Sequence, residues 1–362
     1  MAMTGMTSLQ ERRDELKRQL VENEYIILVE VIVLRTGRLL RRITRSPKQL
    51  PFWYSALALV LVIMLIGLVL SSFLSEFNPK PILLLIEGIG LIYVGMIVFE
   101  IHHENFIANL HEHVVDAIDS ERDLVDLQHW LNQTASTKAA AFFSGAIAVL
   151  GGLFVQFVYQ NTAGEFIGFG PIVALVLSSV LYGAMVYYGI LFFTLPSRLS
   201  RYEFKLYMPD PSSSALIQYL SRMFANALYL FAFYAALTAL LNVAVDLFVS
   251  FNAVRLFGWW GIITALFVMI QYALSRIITT AKYKTLEEVE ARIEQTLSKA
   301  NLNENETRDA INWLMDYHDR IKSTPNSALH IRALFEFVNS LLLPLLAFLF
   351  THLDEIAALF SK

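Results

Sequence analysis

The sequence predicts an all-α polytopic membrane protein with seven transmembrane helices, a cytoplasmic N-terminus, an outer C-terminus and helical cytoplasmic extensions. Three observations carry this. Seven long apolar stretches divide the chain, at residues 51–74, 81–101, 139–160, 170–195, 216–250, 256–280 and 333–353, and a spanning helix needs about 20 mostly apolar residues. With the N-terminus inside, all of the 28 Lys and Arg residues except Lys80, Arg255 and Lys362 fall on the inner side, as the positive-inside rule requires. Finally, the chain is 56% hydrophobic and only 17% charged, too apolar for a soluble domain. A plasma or bacterial inner membrane is the expected location. The organisation reads as an N-terminal cytoplasmic or membrane-surface helix (1–50), a six-helix membrane region (51–280), a cytoplasmic helical hairpin (281–332), and a seventh span with a short outer tail (333–362).

Taken in order, Ser8-Leu-Gln-Glu11 reads as a capping box and predicts a helix starting there. The run that follows combines apolar residues with Arg35, Arg38, Arg41, Arg42 and Arg45. That suits a segment lying on an anionic inner leaflet, or else an orientation signal ahead of the first span. Outer connections are short and inner ones long, so folded mass outside the bilayer should be cytoplasmic. The fifth stretch makes a helix about 50 Å long at about 1.5 Å per residue, longer than the bilayer core. Its inner end should project into the cytoplasm with the continuations of the fourth span, through RLSRYEFKLY, and of the sixth. Residues 285–322 read as a hairpin opened by a second capping box at Thr285-Leu-Glu-Glu288, with Ile311, Leu314, Met315 and Ile321 on one face.

Candidate functional residues are the acids within spans, because a charge near the bilayer centre costs about 2.5–3.5 kcal/mol on insertion scales. Glu87, beside Gly88 and Gly90, and Asp246 are read as an outer acidic ring that attracts cations. Glu336, Asn339 and Ser340 fall at i, i+3 and i+4 on one face of span seven, and Pro344 is the expected hinge above them. That pattern suits a pore lining or helix packing. The inner segment 102–137 holds His102, His103, His111, His113 and His129. Its Glu100/His103 and Asp126/His129 spacings resemble those of helical dimetal sites, against a solvated acidic face that includes Asp116, Asp119 and Asp123. With no Cys, there is no disulfide, thiolate nucleophile or Cys-ligated metal. Phosphate-binding loops, nucleophile elbows and dinucleotide fingerprints do not occur, so neither an enzyme nor a cofactor is expected, and nucleic acid is not an expected partner.

This layout, with projecting spans four to six and a hairpin feeding the last span, resembles that of insect odorant and gustatory receptor channels. The resemblance lies in topology and reaches most of the chain. It implies a homotetramer with the last helix lining the pore and the cytoplasmic projections forming the assembly anchor. An oligomeric cation channel, open to gating by a small molecule or ion, is the leading expectation. A secondary transporter coupling through Glu87 is the rival, and a metal-dependent membrane enzyme built on the His-rich segment is the third reading.

Overall fold

The computed structural model describes residues 2–22, 25–45, 48, 50–73, 79–163, 168–207, 209–241, 252–299 and 305–327, with 335, 337–339, 342 and 346. Almost all of these are helical. In chain order they form α1 (Ala2–Val21), α2 (Leu28–Thr44), α3 (Phe52–Phe73), α4 (Pro79–Asn109), α5 (Glu121–Thr134), α6 (Thr137–Ala163), α7 (Phe169–Leu199), α8 (Ala215–Leu241), α9 (Asn252–Lys299) and α10 (Asn305–Ser323). Helices α3, α4, α6, α7, α8 and α9 are each long and apolar enough to cross a membrane. The protein is therefore an integral membrane protein with six spans among the described residues. The seventh stretch lies mostly outside them, although Phe337 stacks on Phe267 of α9 with ring centroids 4.0 Å apart.

Lipid supplies little hydrophobic drive for helix association, so close backbone approach decides which spans pair. Helix α7 is the hub, packed against α3, α4, α6 and α9. Small residues make this possible. A Cβ on Gly170 would stand 2.5 Å from the Gly67 carbonyl of α3, and one on Gly183 would stand 2.7 Å from Ser144 Cα of α6. The buried stripe of α3, Ser55, Ala56, Val60, Ile63, Gly67 and Ser71, is small or β-branched for the same reason.

On the basic side the spans continue into a folded layer. Helix α4 runs on through a π turn at Leu110–Val114, where one extra residue per turn turns His113 to stack on Tyr219 of α8 at 3.6 Å. Beyond it, the Asp119 N–H donates to Glu203 O and the Lys205 N–H to Ala117 O, around the Ile118–Phe204 bridge. The fourth span thus ends as a helix at Leu199, and its expected continuation is instead a turn at residues 200–202 followed by a crossing that pairs with residues 117–119 beyond α4. Helix α5 buries Leu124, Leu127, Trp130 and Leu131 and receives α1 on its flank. Arg13 reaches across to donate to the Ile118 carbonyl.

Both expected capping boxes are interior to helices. Helix α1 begins at Ala2, ahead of Ser8, and Thr285 lies within the 48-residue α9, its hydroxyl donating to the Ala281 carbonyl. The hairpin forms nevertheless, since α10 folds back on α9 through Leu286, Val289, Leu314, Tyr317 and Ile321. Met315, expected on that face, is exposed.

Candidate functional site: a cavity within the bundle

Four spans border a cavity of about 540 Å³. Gly95, Phe99 and His102 come from α4; Tyr182, Met185, Gly189 and Phe192 from α7; Ala227, Phe231 and Tyr234 from α8; Ile262, Leu266 and Met269 from α9. On α4, α8 and α9 the spacing of three, four and seven residues is that of a single helix face, whereas α7 lines the cavity more broadly, through Val186, Tyr188, Ile190, Phe193 and Thr194 as well. Its lining holds no Asp, Glu, Lys or Arg. The volume lies within the range of small-molecule sites, which are largely apolar with a few polar groups. Gly95 creates part of the space, because a Cβ there would come within 3.2 Å of Met185 Sδ and Tyr234 Cε2.

A buried polar cluster closes one end. The Phe192 ring meets the His102 ring edge-on at 4.7 Å, and Tyr188 lies 6.3 Å from His102 and 5.4 Å from His103 by ring centroids. His103 Nδ1 is 2.7 Å from Glu30 Oε1, with both side chains almost fully buried. His102 Nε2 and the Tyr188 hydroxyl, also buried, meet no hydrogen-bond partner among the described residues. Leaving such groups unpaired costs about 1–3 kcal/mol each, so the cluster is costly unless something else engages it.

The residues singled out by sequence are not brought together here. Glu87 is half-buried on α4 without an ion-pair partner among the described residues. Asp246, Glu336, Ser340 and Pro344 lie outside the described residues, and Asn339 is exposed. The two carboxylate–histidine spacings are pulled apart. His103 takes Glu30 rather than Glu100, Asp126 accepts from Arg198 and Tyr202, and His129 pairs with Gln133. Among the described residues, no three His, Asp or Glu side chains are gathered as a metal site.

The acids of segment 102–137 instead join the folded layer beyond the spans. Asp116 pairs with Lys17 at 2.6 Å, Asp119 with Lys205 at 3.1 Å, and Asp123 accepts from the Glu203 N–H at 2.8 Å. Burial raises the Asp123 carboxyl above the usual Asp range against that backbone bond. Burial first, and then donation to Asp126, push the Tyr202 phenol well above its ordinary value.

No family profile, curated protein or solved structure matches the chain. The class rests on its own features: an all-helical integral membrane protein with an uncharged cavity inside its spans.

Proposed function

We propose that this chain is the subunit of an oligomeric, ligand-gated cation channel, a homotetramer by the layout it shares with insect chemoreceptor channels, in which the cavity holds a neutral, mostly apolar small molecule. The carrying observation is the cavity itself, bordered by four spans and lined without a single charge. An occupant wedged between α4, α7, α8 and α9 sets the spacing of those helices. Helix α9 leads through α10 to the segment read as the pore helix, with Glu336, Asn339 and Ser340 on its polar face and Pro344 as hinge. Glu87 and Asp246 supply the outer negative field that draws cations.

Gly95→Leu tests the cavity. A leucine there fills space shared with Met185 and Tyr234, so fluorescence enhancement of 1-aminoanthracene, a neutral apolar probe, should fall at least tenfold on the purified variant. Cation flux evoked by the same compound in liposomes should disappear while unstimulated flux persists. Unchanged binding in Gly95→Leu overturns the cavity assignment. Flux at carrier rates, with a proton or cation dependence lost in Glu87→Gln, decides for the transporter.

The same proposal sets the N-terminus inside, in a plasma or bacterial inner membrane. Because the chain has no native Cys, single cysteines read orientation cleanly. Those at Asn161 and Asn252 should react with an impermeant thiol reagent in intact cells, and those at Ser120 and Ser298 should not. The opposite labelling reverses the orientation.

A further inference from the structure

We infer that α2 and the start of α3 form a binding surface for anionic phospholipid headgroups. This does not depend on whether the chain conducts ions. Arg35, Arg38 and Arg42 recur at i, i+3 and i+7, Arg41 lies beside them, and Arg45 closes the helix in a left-handed conformation. All five are exposed and none has a carboxylate partner among the described residues. Several other basic residues of the same layer are treated differently. Arg12, Lys17, Arg198, Lys205 and Lys284 pair with Glu121, Asp116, Asp126, Asp119 and Glu203. Lys138, Arg201, Arg222 and Arg276 also lack a carboxylate partner among the described residues, but they are scattered along the chain, whereas α2 gathers five such arginines between residues 35 and 45.

Depth is fixed independently. Trp53 and Tyr54 stand exposed at the first turn of α3, and aromatic residues of this kind mark the level of the headgroups. Gly37 packs directly on Ser55, the residue after Tyr54, so closely that a Cβ on Gly37 would stand 2.5 Å from Ser55 Oγ. That contact holds the arginines at the aromatic level. Val29 and Val33 are buried against the bundle, and Glu30 is anchored by His103, so α2 is a fixed part of the fold. On its free side, exposed Leu39 and Ile43 lie next to the arginine arc. Apolar side chains reach toward acyl tails while guanidinium groups meet phosphates, the arrangement of an interfacial helix. An arginine run serving only to orient insertion needs no such seat.

The test uses the full chain reconstituted in phosphatidylcholine vesicles containing a minor fraction of phosphatidylglycerol. Lipids retained on the purified protein are compared with the bulk mixture by mass spectrometry. The wild-type chain should enrich phosphatidylglycerol, and the enrichment should collapse in high salt, because exposed charges are screened. Replacing all five arginines with Gln should lower the enrichment by about tenfold or more, given the contribution of each basic residue near an anionic surface. The five-lysine variant should retain most of it, and Lys205→Gln, which removes a paired charge, should leave it unchanged. A cysteine at Ser120 checks that the five-Gln protein inserts in the native orientation; if it inverts, the salt titration of the wild-type chain decides alone. Absence of phosphatidylglycerol enrichment in the wild-type chain, salt-insensitive enrichment, or enrichment that survives in a natively oriented five-Gln variant overturns the inference.

Discussion

His103→Ala is expected to destabilise the protein by about 3–5 kcal/mol, because it leaves a buried carboxylate without its partner. Glu30 Oε1 and His103 Nδ1 stand 2.7 Å apart with side chains only 13% and 8% exposed. In the variant the Glu30 carboxylate would remain shut in the bundle without its donor, and Tyr188 would lose the imidazole at 5.4 Å. Glu30→Gln should cost less, about 1–3 kcal/mol, because the amide oxygen still accepts from the ring N–H. Combining Glu30→Ala with His103→Ala removes both halves, so the double variant should be less destabilised than the sum of the two. Thermal unfolding of the four proteins in detergent gives the coupling. Strict additivity would show that the pair does not clamp α2 to α4.

That clamp also shows where the sequence stops being legible. The spans announce themselves, since an all-apolar stretch of sufficient length has few other uses, and the six found among the described residues fall where the apolar stretches are. The hairpin face was readable from Leu314 and Ile321, but its supposed cap at Thr285 was not a boundary, because a local capping signal does not interrupt a helix continuous with a span, and the Thr285 hydroxyl instead donates back to the Ala281 carbonyl. Glu30 could have been flagged, being an acid between Val29 and Val31 in an apolar run. Its partner could not, for His103 is 73 residues away and its nearer acid, Glu100, fits the same pairing rule. The acids Asp116, Asp119 and Asp123 likewise look like a solvated face until α1 brings Lys17 to Asp116 and the crossing of residues 202–205 brings Lys205 to Asp119 and the Glu203 N–H to Asp123. The cavity was invisible for a related reason: Gly95, Met185, Tyr234 and Leu266 are ordinary span residues, and space between four helices has no one-dimensional signature.

Lys282→Met should detach the α9–α10 hairpin while leaving the spans packed. Lys282 is 6% exposed, yet its ammonium is satisfied, donating to the Lys322 and Thr324 carbonyls and to Asn326 Oδ1 at 2.8, 2.7 and 2.8 Å. Three donors meet three acceptors, which is the full capacity of the group. Two of them are at the C-terminal end of α10, where the helix dipole favours a cation. Ser275, two turns earlier on α9, holds the same turn by donating to the Asn326 carbonyl at 2.6 Å. Methionine preserves the stem and the volume but deprives all three acceptors of their shared cation, and a hydrogen bond to a charged group contributes about 1.5–3 kcal/mol. Apolar contact through Leu286, Val289 and Ile321 is a small cluster, too small to offset that loss. Amide protection across Asn305–Ser323, read by hydrogen-exchange mass spectrometry, should therefore fall by about 100-fold. Protection in α7 should hold, since its packing against α3 and α6 rests on Gly170 and Gly183. Lys282→Arg, which keeps the charge, should retain part of the protection in α10. If exchange in α10 is the same in Lys282→Met as in the native chain, the hairpin is held by its apolar face and the buried ammonium is incidental.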